Sequence, residues 1–286
     1  MARLWQARGM RPARQTRYAL AHDLDSWRAD DRIAARGFVH RWDSVVADGN
    51  GEDFFLQLLG RHLSADIDVL DVGCGHGELA LSVARRARSV VGLERHRGCL
   101  DLAAELLGES GLGNVCFAET ELAGPGEAHR GGPLPLADRS VDLVIDRRGP
   151  PLSRYLDDLR RVARPGCVII GMHPAGTAPP PSWAASIPTL RDRFQMLGYE
   201  EVAGWVTGPL GRQGLADYRL WWIDVPEYLF SARSLYDRLA YGTVPPRDPV
   251  PSWDSVAAEA EAAYAANQAD GALTLRHVRL VWAVQL

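Results

Sequence analysis

The sequence predicts an α/β fold in which a mostly parallel, doubly wound sheet is covered by helices on both faces. Between residues 64 and 172, short apolar runs alternate with stretches of helical spacing, which is the pattern of repeated strand–helix–strand units. The composition is that of an ordinary globular domain, with 47% hydrophobic and 24% charged residues in a chain of 286. It excludes a disordered or rod-like protein.

The elements follow in order along the chain. Residues 1–22 carry five arginines and no acidic residue, so we expect a disordered tail, and the helical spacing of apolar residues over 23–63 predicts an N-terminal helical lid. Five apolar runs predict parallel strands at 67–72, 89–93, 114–118, 141–145 and 167–171. Helices are predicted between them at 78–86, 97–108 and 152–163.

The segment 173–277 is predicted to contain a cap over the substrate, because aromatic walls suit a small organic molecule. Here the patterns predict strands at 201–206, 218–223 and 278–284, and helices at 187–197, 226–240 and 252–267. The aromatic residues concerned are Trp183, Trp205, Tyr218, Trp221, Trp222, Tyr228, Phe230 and Tyr236. The alternative is that most of them are core, especially those that alternate over 218–223.

Composition excludes several mechanisms. All 32 basic residues are arginine, so no lysine can form a Schiff base or hold a phosphate. No C-x-x-C pair exists, and we expect free, buried thiols and no bound metal in a cytoplasmic protein. The net charge is −4, whereas proteins that bind nucleic acid usually carry an excess of basic residues. No apolar run approaches the ~20 residues of a membrane helix.

The most informative stretch is VLDVGCGHGEL, residues 69–79. A strand runs into Asp71, and Gly73, Gly75 and Gly77 precede a helix. Glycine permits the positive φ angles of a tight turn and lets a ligand lie against bare backbone, and free N–H groups at the helix start can bind that ligand. A dinucleotide-binding G-x-G-x-x-G loop would need glycine at position 78, where the chain has glutamate.

This loop resembles motif I of the class I S-adenosylmethionine-dependent methyltransferases. Further landmarks are similar to that family in the same order, namely Glu94 after the second strand, Glu119 and Thr120 after the third, and residues 135–144 and 159–166. The resemblance implies a Rossmann-like, seven-stranded methyltransferase domain at 64–286. It also implies S-adenosylmethionine as cofactor and S-adenosylhomocysteine as product.

The resemblance also implies which residues contact the cofactor. In the family the loop faces the methionine part, and an acid placed like Glu94 accepts hydrogen bonds from the ribose hydroxyls. The contacts predicted in this way are Asp71, Gly73, Cys74, Gly75, Gly77, Glu94, Arg95, Glu119, Thr120 and Asp146. Glu119 and Thr120 depart from the family, which usually has Asp near the adenine amine. In the alternative interpretations Asp71 caps a helix, Glu94 is a solvated acid and Gly77 serves helix packing.

Candidate catalytic groups follow the fourth parallel strand, whose carboxyl end faces the ligand crevice of such sheets. Asp146 could orient the acceptor or remove its proton. Arg147 or Arg148 could bind an acidic acceptor, or could instead pair with the acids at 157 and 158.

Two histidines are further candidates, namely His173 after the fifth strand and His40 in the N-terminal region. Either could instead be a surface or capping residue. Methyl transfer depends mostly on alignment, and a base is needed only if the acceptor must lose a proton.

We therefore predict a cytoplasmic methyltransferase, a monomer or homodimer, that acts on N or O of a small-molecule metabolite and has no membrane partner. The first alternative is an RNA base methyltransferase. The late aromatic strand, helix and final strand are similar to bacterial 23S ribosomal guanine methyltransferases, but the chain lacks their Cys-rich zinc module. The second alternative binds S-adenosylmethionine without transferring a methyl group.

Overall fold

The computed structural model of the protein describes residues 16–17, 44–46, 51–95, 97–120, 133–177, 181–191, 199–241 and 250–286. The strands in these ranges are β1 (Thr16–Arg17), β2 (Ser44–Val46), β3 (Asp68–Val72), β4 (Ser89–Glu94), β5 (Val115–Glu119), β6 (Val141–Arg147), β7 (Ala163–Thr177), β8 (Tyr218–Leu229) and β9 (Leu273–Gln285). The α-helices are α1 (Glu52–Gly60), α2 (Glu78–Ala84), α3 (Arg97–Ser110), α4 (Leu156–Val162), α5 (Tyr199–Arg212), α6 (Ala232–Tyr241) and α7 (Trp253–Asn267). Two 3₁₀ helices span Leu152–Arg154 and Ser182–Ser186.

The described strands form one sheet in the order β1-β2-β8-β9-β7-β6-β3-β4-β5. Strands β3 to β7 pair in parallel, whereas β9 lies antiparallel between β7 and β8. The seven strands β3 to β9 confirm the predicted α/β fold, and β1 and β2 extend the sheet at one edge. The strand order reverses between β3 and β6, and the crevice beyond the carboxyl ends at that point is where such sheets bind ligands.

Both faces of the parallel strands are buried, which explains why these strands read as continuous apolar runs. In β3 and β6, Val69 and Ile145 enter one core while Leu70 and Val144 enter the other. Helices α1 and α2 cover the first core, and α4 and α5 cover the second. This packing fixes the loops at the carboxyl edge.

A third core lies beyond the carboxyl edge of the parallel strands. Gly171 of β7 pairs with Asp146 of β6 on one side and with Trp282 of β9 on the other. From Trp282, β9 continues beyond the end of β6 as far as Leu273, a distance of roughly 30 Å at the rise of a strand. The 3₁₀ helix Ser182–Ser186, α6 and α7 pack on the outer ends of β8 and β9. We name this unit the cap; its role in covering a substrate stays a prediction.

Most of the aromatic residues of the predicted cap are packed in the cores. Trp205, Tyr218 and Trp222 pack against the core under α4 and α5, and Trp183 and Tyr236 belong to the cap's own core. The alternative in which these side chains are mainly structural therefore holds for them.

The N-terminal region differs from the prediction where the structure describes it. Ser44–Val46 forms a strand rather than a helix, and Thr16–Arg17, inside the predicted disordered tail, pairs with it. The segment completes the open edge of β8, and such pairing overrides local helical spacing. The candidate His40 and most of the predicted lid lie outside the described residues.

Three predictions after residue 172 also differ from the structure. Residues 201–206, predicted as a strand, lie in α5, because Val202, Val206 and Leu210 recur every four residues and are all buried. Residues 226–229 continue β8 instead of starting a helix. Residues 187–191 are not α-helical, and the rest of the helix predicted at 187–197 lies mostly outside the described residues.

The four cysteines are free thiols, but the expectation that they are buried is wrong for Cys116. Cys116 lies on the edge strand β5 and is exposed, whereas Cys99 and Cys167 are buried. Among the described helices, none has the length and apolar character needed to span a membrane.

Candidate functional site

The glycine loop leaves β3 and enters α2 through three glycines with left-handed backbone conformations. Gly73, Gly75 and Gly77 have φ angles of 72°, 56° and 79°. The N–H groups of Gly73 and Cys74 donate hydrogen bonds to the carbonyl oxygen of Leu93, at 2.8 and 3.0 Å. The loop is thereby held against the tip of β4.

Gly75 and Gly77 differ in the space that surrounds them. A Cβ at Gly75 would find no atom within 4 Å, so the tip of the loop borders open space where a ligand can approach the backbone. A Cβ at Gly77 would lie 2.4 Å from Cζ of Phe117 and 3.2 Å from Cβ of Ala103. These contacts favour a packing role for Gly77, and its contact with the cofactor stays a prediction.

Glu94 at the end of β4 is fixed to this loop by hydrogen bonds. Its Oε2 accepts the N–H of Gly75 at 3.0 Å, and its Oε1 accepts the N–H of Arg95 at 2.9 Å. A carboxylate offers about four acceptor positions, so it can accept more than two hydrogen bonds. The side chain is oriented before any ligand arrives.

Asp71 is an acid buried beneath the loop, with 3% of its surface exposed. Burial raises the pKa of this carboxyl to about 7; the Arg147 guanidinium opposes the rise, and the neighbouring Asp146 and Glu94 add to it. A charge that is costly in the free protein becomes favourable when a cation neutralises it. The position therefore suits a positively charged ligand group.

Cys74 is half-buried in the loop, and burial raises the pKa of its thiol far above the usual range. It is held as a neutral thiol and has no nucleophilic character. Its sulfur would lie 2.8 Å from a Cβ at Gly92. Its place in the loop is thus explained by packing.

The tip of β5 carries Glu119 and Thr120. The N–H of Thr120 donates to the carbonyl oxygen of Glu94 at 2.9 Å, which ties this tip to that of β4. The buried Oγ1 of Thr120 has no hydrogen-bond partner within the described part of the chain. Glu119 is half-exposed and lies 3.3 Å from Nη1 of Arg97.

Asp146 at the end of β6 is completely buried and faces inward. Its Oδ1 accepts the N–H of Gly149 at 3.0 Å, and its Oδ2 accepts the hydroxyl of Tyr155. Burial raises the pKa of Asp146, and His173 at 3.8 Å opposes the rise. These contacts make Asp146 a residue that shapes the turn after β6; contact of its carboxylate with an acceptor or the cofactor stays a prediction.

His173 belongs to the same buried group. It stacks on Trp282 with ring centroids 6.1 Å apart, and only 5% of its surface is exposed. The structure thus brings His173 to Asp146 inside the sheet and not at an open surface. Its predicted role as a base stays untested.

Arg147 and Arg148 form a cluster that the sequence analysis missed. Glu52, the first residue of α1, contacts Arg147 at 3.3 Å, Arg148 at 2.8 Å and Arg279 of β9 at 3.4 Å. The arginines pair with this glutamate and not with the acids at 157 and 158. We name these four residues the arginine cluster.

The described residues fit the cofactor that the resemblance implies. Glu94 is a fixed acceptor for hydroxyl groups, Asp71 favours a cation, and Gly75 leaves the loop tip open. The unpartnered Oγ1 of Thr120 can bond a polar group beside the next strand. No group of three or more potential metal ligands was found within the described ranges.

Comparison with known proteins gives a family and a fold. Residues 69–166 match the family model of a methyltransferase domain. The uncharacterized methyltransferase YcgJ of Bacillus subtilis is 27% identical over 126 residues, and this match spans 44% of each chain, less than half of that curated relative.

Solved structures are similar over most of the chain. A functionally unknown protein from Deinococcus radiodurans R1 has a TM-score of 0.58 at 19% identity, with 92% of this chain and 100% of that chain covered. The structure of YcgJ has a TM-score of 0.51 at 15% identity, with 82% and 98% covered. At these identities the structures establish the shared fold alone, and the family model adds a methyltransferase domain at residues 69–166, as the resemblance predicted.

Proposed function

Because its residues 69–166 match a methyltransferase domain, we propose that this chain is a class I S-adenosylmethionine-dependent methyltransferase that transfers a methyl group to a nitrogen or oxygen atom of a small metabolite. S-adenosylmethionine, when bound, supplies an electrophilic methyl group on a positively charged sulfur. S-adenosylhomocysteine is the product. The free thiols fit a reducing compartment, and we place the protein in the cytoplasm, as a monomer or homodimer.

The observation that carries this proposal is the coupling of Glu94 to the glycine loop. The hydrogen bond from the N–H of Gly75 at 3.0 Å places a carboxylate beside a loop tip that has open space. An oriented acceptor beside bare backbone is what a ribose and its attached amino-acid part require. Glu94 would hold the hydroxyls, and Asp71 would sit near the positive groups.

The remaining work of the site is alignment. Moving a methyl group from a sulfonium to a nucleophile requires that the reacting atoms lie close together and in line. The turn after β6 packs closely on the end of β3, because Asp146 accepts the N–H of Gly149 and a Cβ at Gly149 would lie 2.5 Å from the carbonyl oxygen of Val72. This turn would position the acceptor beside the loop.

A small acceptor is favoured by the cap. Its helices stand on strands β8 and β9, which extend beyond the carboxyl edge where the ligands of such sheets bind. A unit in that position encloses a small molecule better than it admits a folded RNA.

The cofactor proposal is tested by titrating S-adenosylhomocysteine into the purified protein in a calorimeter. We expect the Glu94→Gln variant to bind about tenfold more weakly or worse, because a hydrogen bond to a charged group is lost. Glu105→Gln, an exposed acid on α3, is the matched control and should bind as the wild type does. Unchanged affinity of the Glu94 variant would exclude its assigned contact.

The acceptor proposal is tested with methyl-labelled S-adenosylmethionine, a small-molecule extract and total RNA, followed by separation by size. We expect label in the small-molecule fraction. Label in RNA would contradict the proposal and favour a base methyltransferase. Binding without any labelled product would favour a protein that only binds the cofactor.

A further inference from the structure

The arginine cluster concentrates positive charge at the tip of β6. Three guanidinium groups surround the carboxylate of Glu52. All four side chains are partly exposed: Arg147 by 32%, Arg148 by 26%, Arg279 by 14% and Glu52 by 20%. Within the described residues, three arginines thus share one carboxylate.

Arg147 has hydrogen-bond donors to offer to an anion. Its closest contact with Glu52 is through Nε at 3.3 Å, and its Nη1 and Nη2 donate no hydrogen bond to any of the described residues. These two nitrogens form the planar fork with which arginine binds a carboxylate or phosphate bidentately. The fork is partly exposed, so a ligand can reach it.

The backbone here is held in an unusual conformation. Arg148 has a φ angle of 61°, a left-handed conformation that is unfavourable for a residue with a Cβ. The N–H of Arg148 donates to the carbonyl oxygen of Met172 at 2.8 Å, and Asp146 holds Gly149. Strain of this kind collects at functional sites, where surrounding contacts maintain it.

The cluster also lies beside the predicted reaction site. A Cβ at Gly73 of the glycine loop would be 2.9 Å from Cα of Gly149, so this loop and the turn that carries Arg147 are in contact. Glu52 ties the guanidinium of Arg147 to α1, and the positive charge of Arg147 also opposes the rise that burial causes in the pKa of Asp71 beneath the glycine loop.

We propose that Arg147, oriented by Glu52, binds an anionic group of the acceptor, so that the metabolite methylated is a small carboxylic acid or phosphate ester. This inference rests on the proposed function. It assigns to Glu52 the role of a positioning residue and to Arg147 that of a specificity residue.

The test uses protein saturated with S-adenosylhomocysteine, so that the carboxylate of the cofactor already occupies its own place. The probes are benzoate and phenyl phosphate, with benzamide as the neutral control, each titrated at low salt by calorimetry. The variants are Arg147→Gln and Arg147→Lys. Arg276→Gln is the matched control, because Arg276 is 63% exposed and pairs with Asp224 on the surface.

We expect the wild type and Arg276→Gln to bind at least one anionic probe about tenfold more tightly than benzamide. Arg147→Gln should lose this preference, and Arg147→Lys should keep only part of it, since lysine lacks the fork. The variants should fold, because Glu52 keeps Arg148 and Arg279 as partners; thermal unfolding checks this.

Three outcomes would overturn the inference. The wild type binds the anionic probes no better than benzamide, or Arg147→Gln keeps the preference. Alternatively, Arg147→Gln weakens S-adenosylhomocysteine binding instead, which would assign the arginine to the cofactor's carboxylate. Failure of the wild type to bind S-adenosylhomocysteine would be a separate result, and it would refute the proposed function and this inference together.

Discussion

Replacing Gly77 by alanine should strongly destabilise the protein, because two independent costs meet at this residue. Gly77 has a φ angle of 79°, which is unfavourable for any residue with a side chain. The added methyl group would also lie 2.4 Å from Cζ and 2.7 Å from Cε1 of Phe117. The ring of Phe117 is half-buried on the edge strand β5 and packs against the core under α2, so it would have to shift.

The magnitude follows from the two terms. The left-handed backbone costs alanine about 1–2 kcal/mol relative to glycine, and overpacking a core costs about 1–3 kcal/mol. We expect the free energy of unfolding to fall by roughly 2–5 kcal/mol, a large part of the 5–15 kcal/mol typical of a domain.

The assay is urea unfolding at 25 °C, followed by circular dichroism, with Gly108→Ala as control. Gly108 lies in α3, its Cβ would meet nothing within 4 Å, and its φ is not positive. Alanine there should be neutral or stabilise by up to about 1 kcal/mol.

A double variant separates the two terms. Phe117→Leu removes the ring edge, so Gly77→Ala should cost about 1–3 kcal/mol less in that background. If Gly77→Ala is as stable as the wild type, or if Phe117→Leu gives no relief, the assignment of Gly77 to packing is refuted.

Two further predictions concern buried carboxylates. The pKa of Asp71 is about 7 in the folded protein and its ordinary value is 3.8, so the folded protein binds this proton more tightly than the unfolded chain does. The stability gained in this way is complete below pH 4 and is lost as the pH rises through 7, by up to roughly 4 kcal/mol. Urea unfolding of the ligand-free protein at pH 5 and pH 8 should show the part of this loss that falls between these values, roughly 3 kcal/mol, in the wild type and not in Asp71→Asn; parallel profiles would contradict it. Tyr155→Phe removes the hydroxyl that bonds Asp146 and should cost about 1–3 kcal/mol. The control is Tyr264→Phe, whose exposed hydroxyl donates to the carbonyl oxygen of Gly271; equal losses in the two variants would argue against a special role for the buried bond.

The features predicted correctly are those with a local signal. The parallel strands are apolar runs bounded by turns, and the glycine loop is a contiguous motif, so both can be read within a short window. The place of Glu94 at a strand tip follows from the same local pattern.

The features that were missed depend on residues far apart in the chain. The contact of Glu52 with Arg147 and Arg279 forms only because the fold brings the start of α1 to the end of β6 and to β9. No spacing in the sequence predicts this contact. The reason for Gly77 lies in Phe117, forty residues later. In α5 the segment EVAGWV suits a strand as well as a helix, and burial decides between them.

The position of β9 has a consequence for how this protein is made. Strand β9, residues 273–285, lies between β7 and β8 in the sheet. These two strands therefore cannot be joined until residues 273–285 have been synthesised. Until then both strands present open, apolar edges of the kind that promote aggregation.

The cap must wait as well, because Leu273 and Leu275 are part of its core. A nascent chain that ends before residue 273 can therefore form neither the continuous sheet nor the core of the cap. We expect its maturation to be a late, concerted event, and the chain to depend on protection by chaperones while it is still being translated.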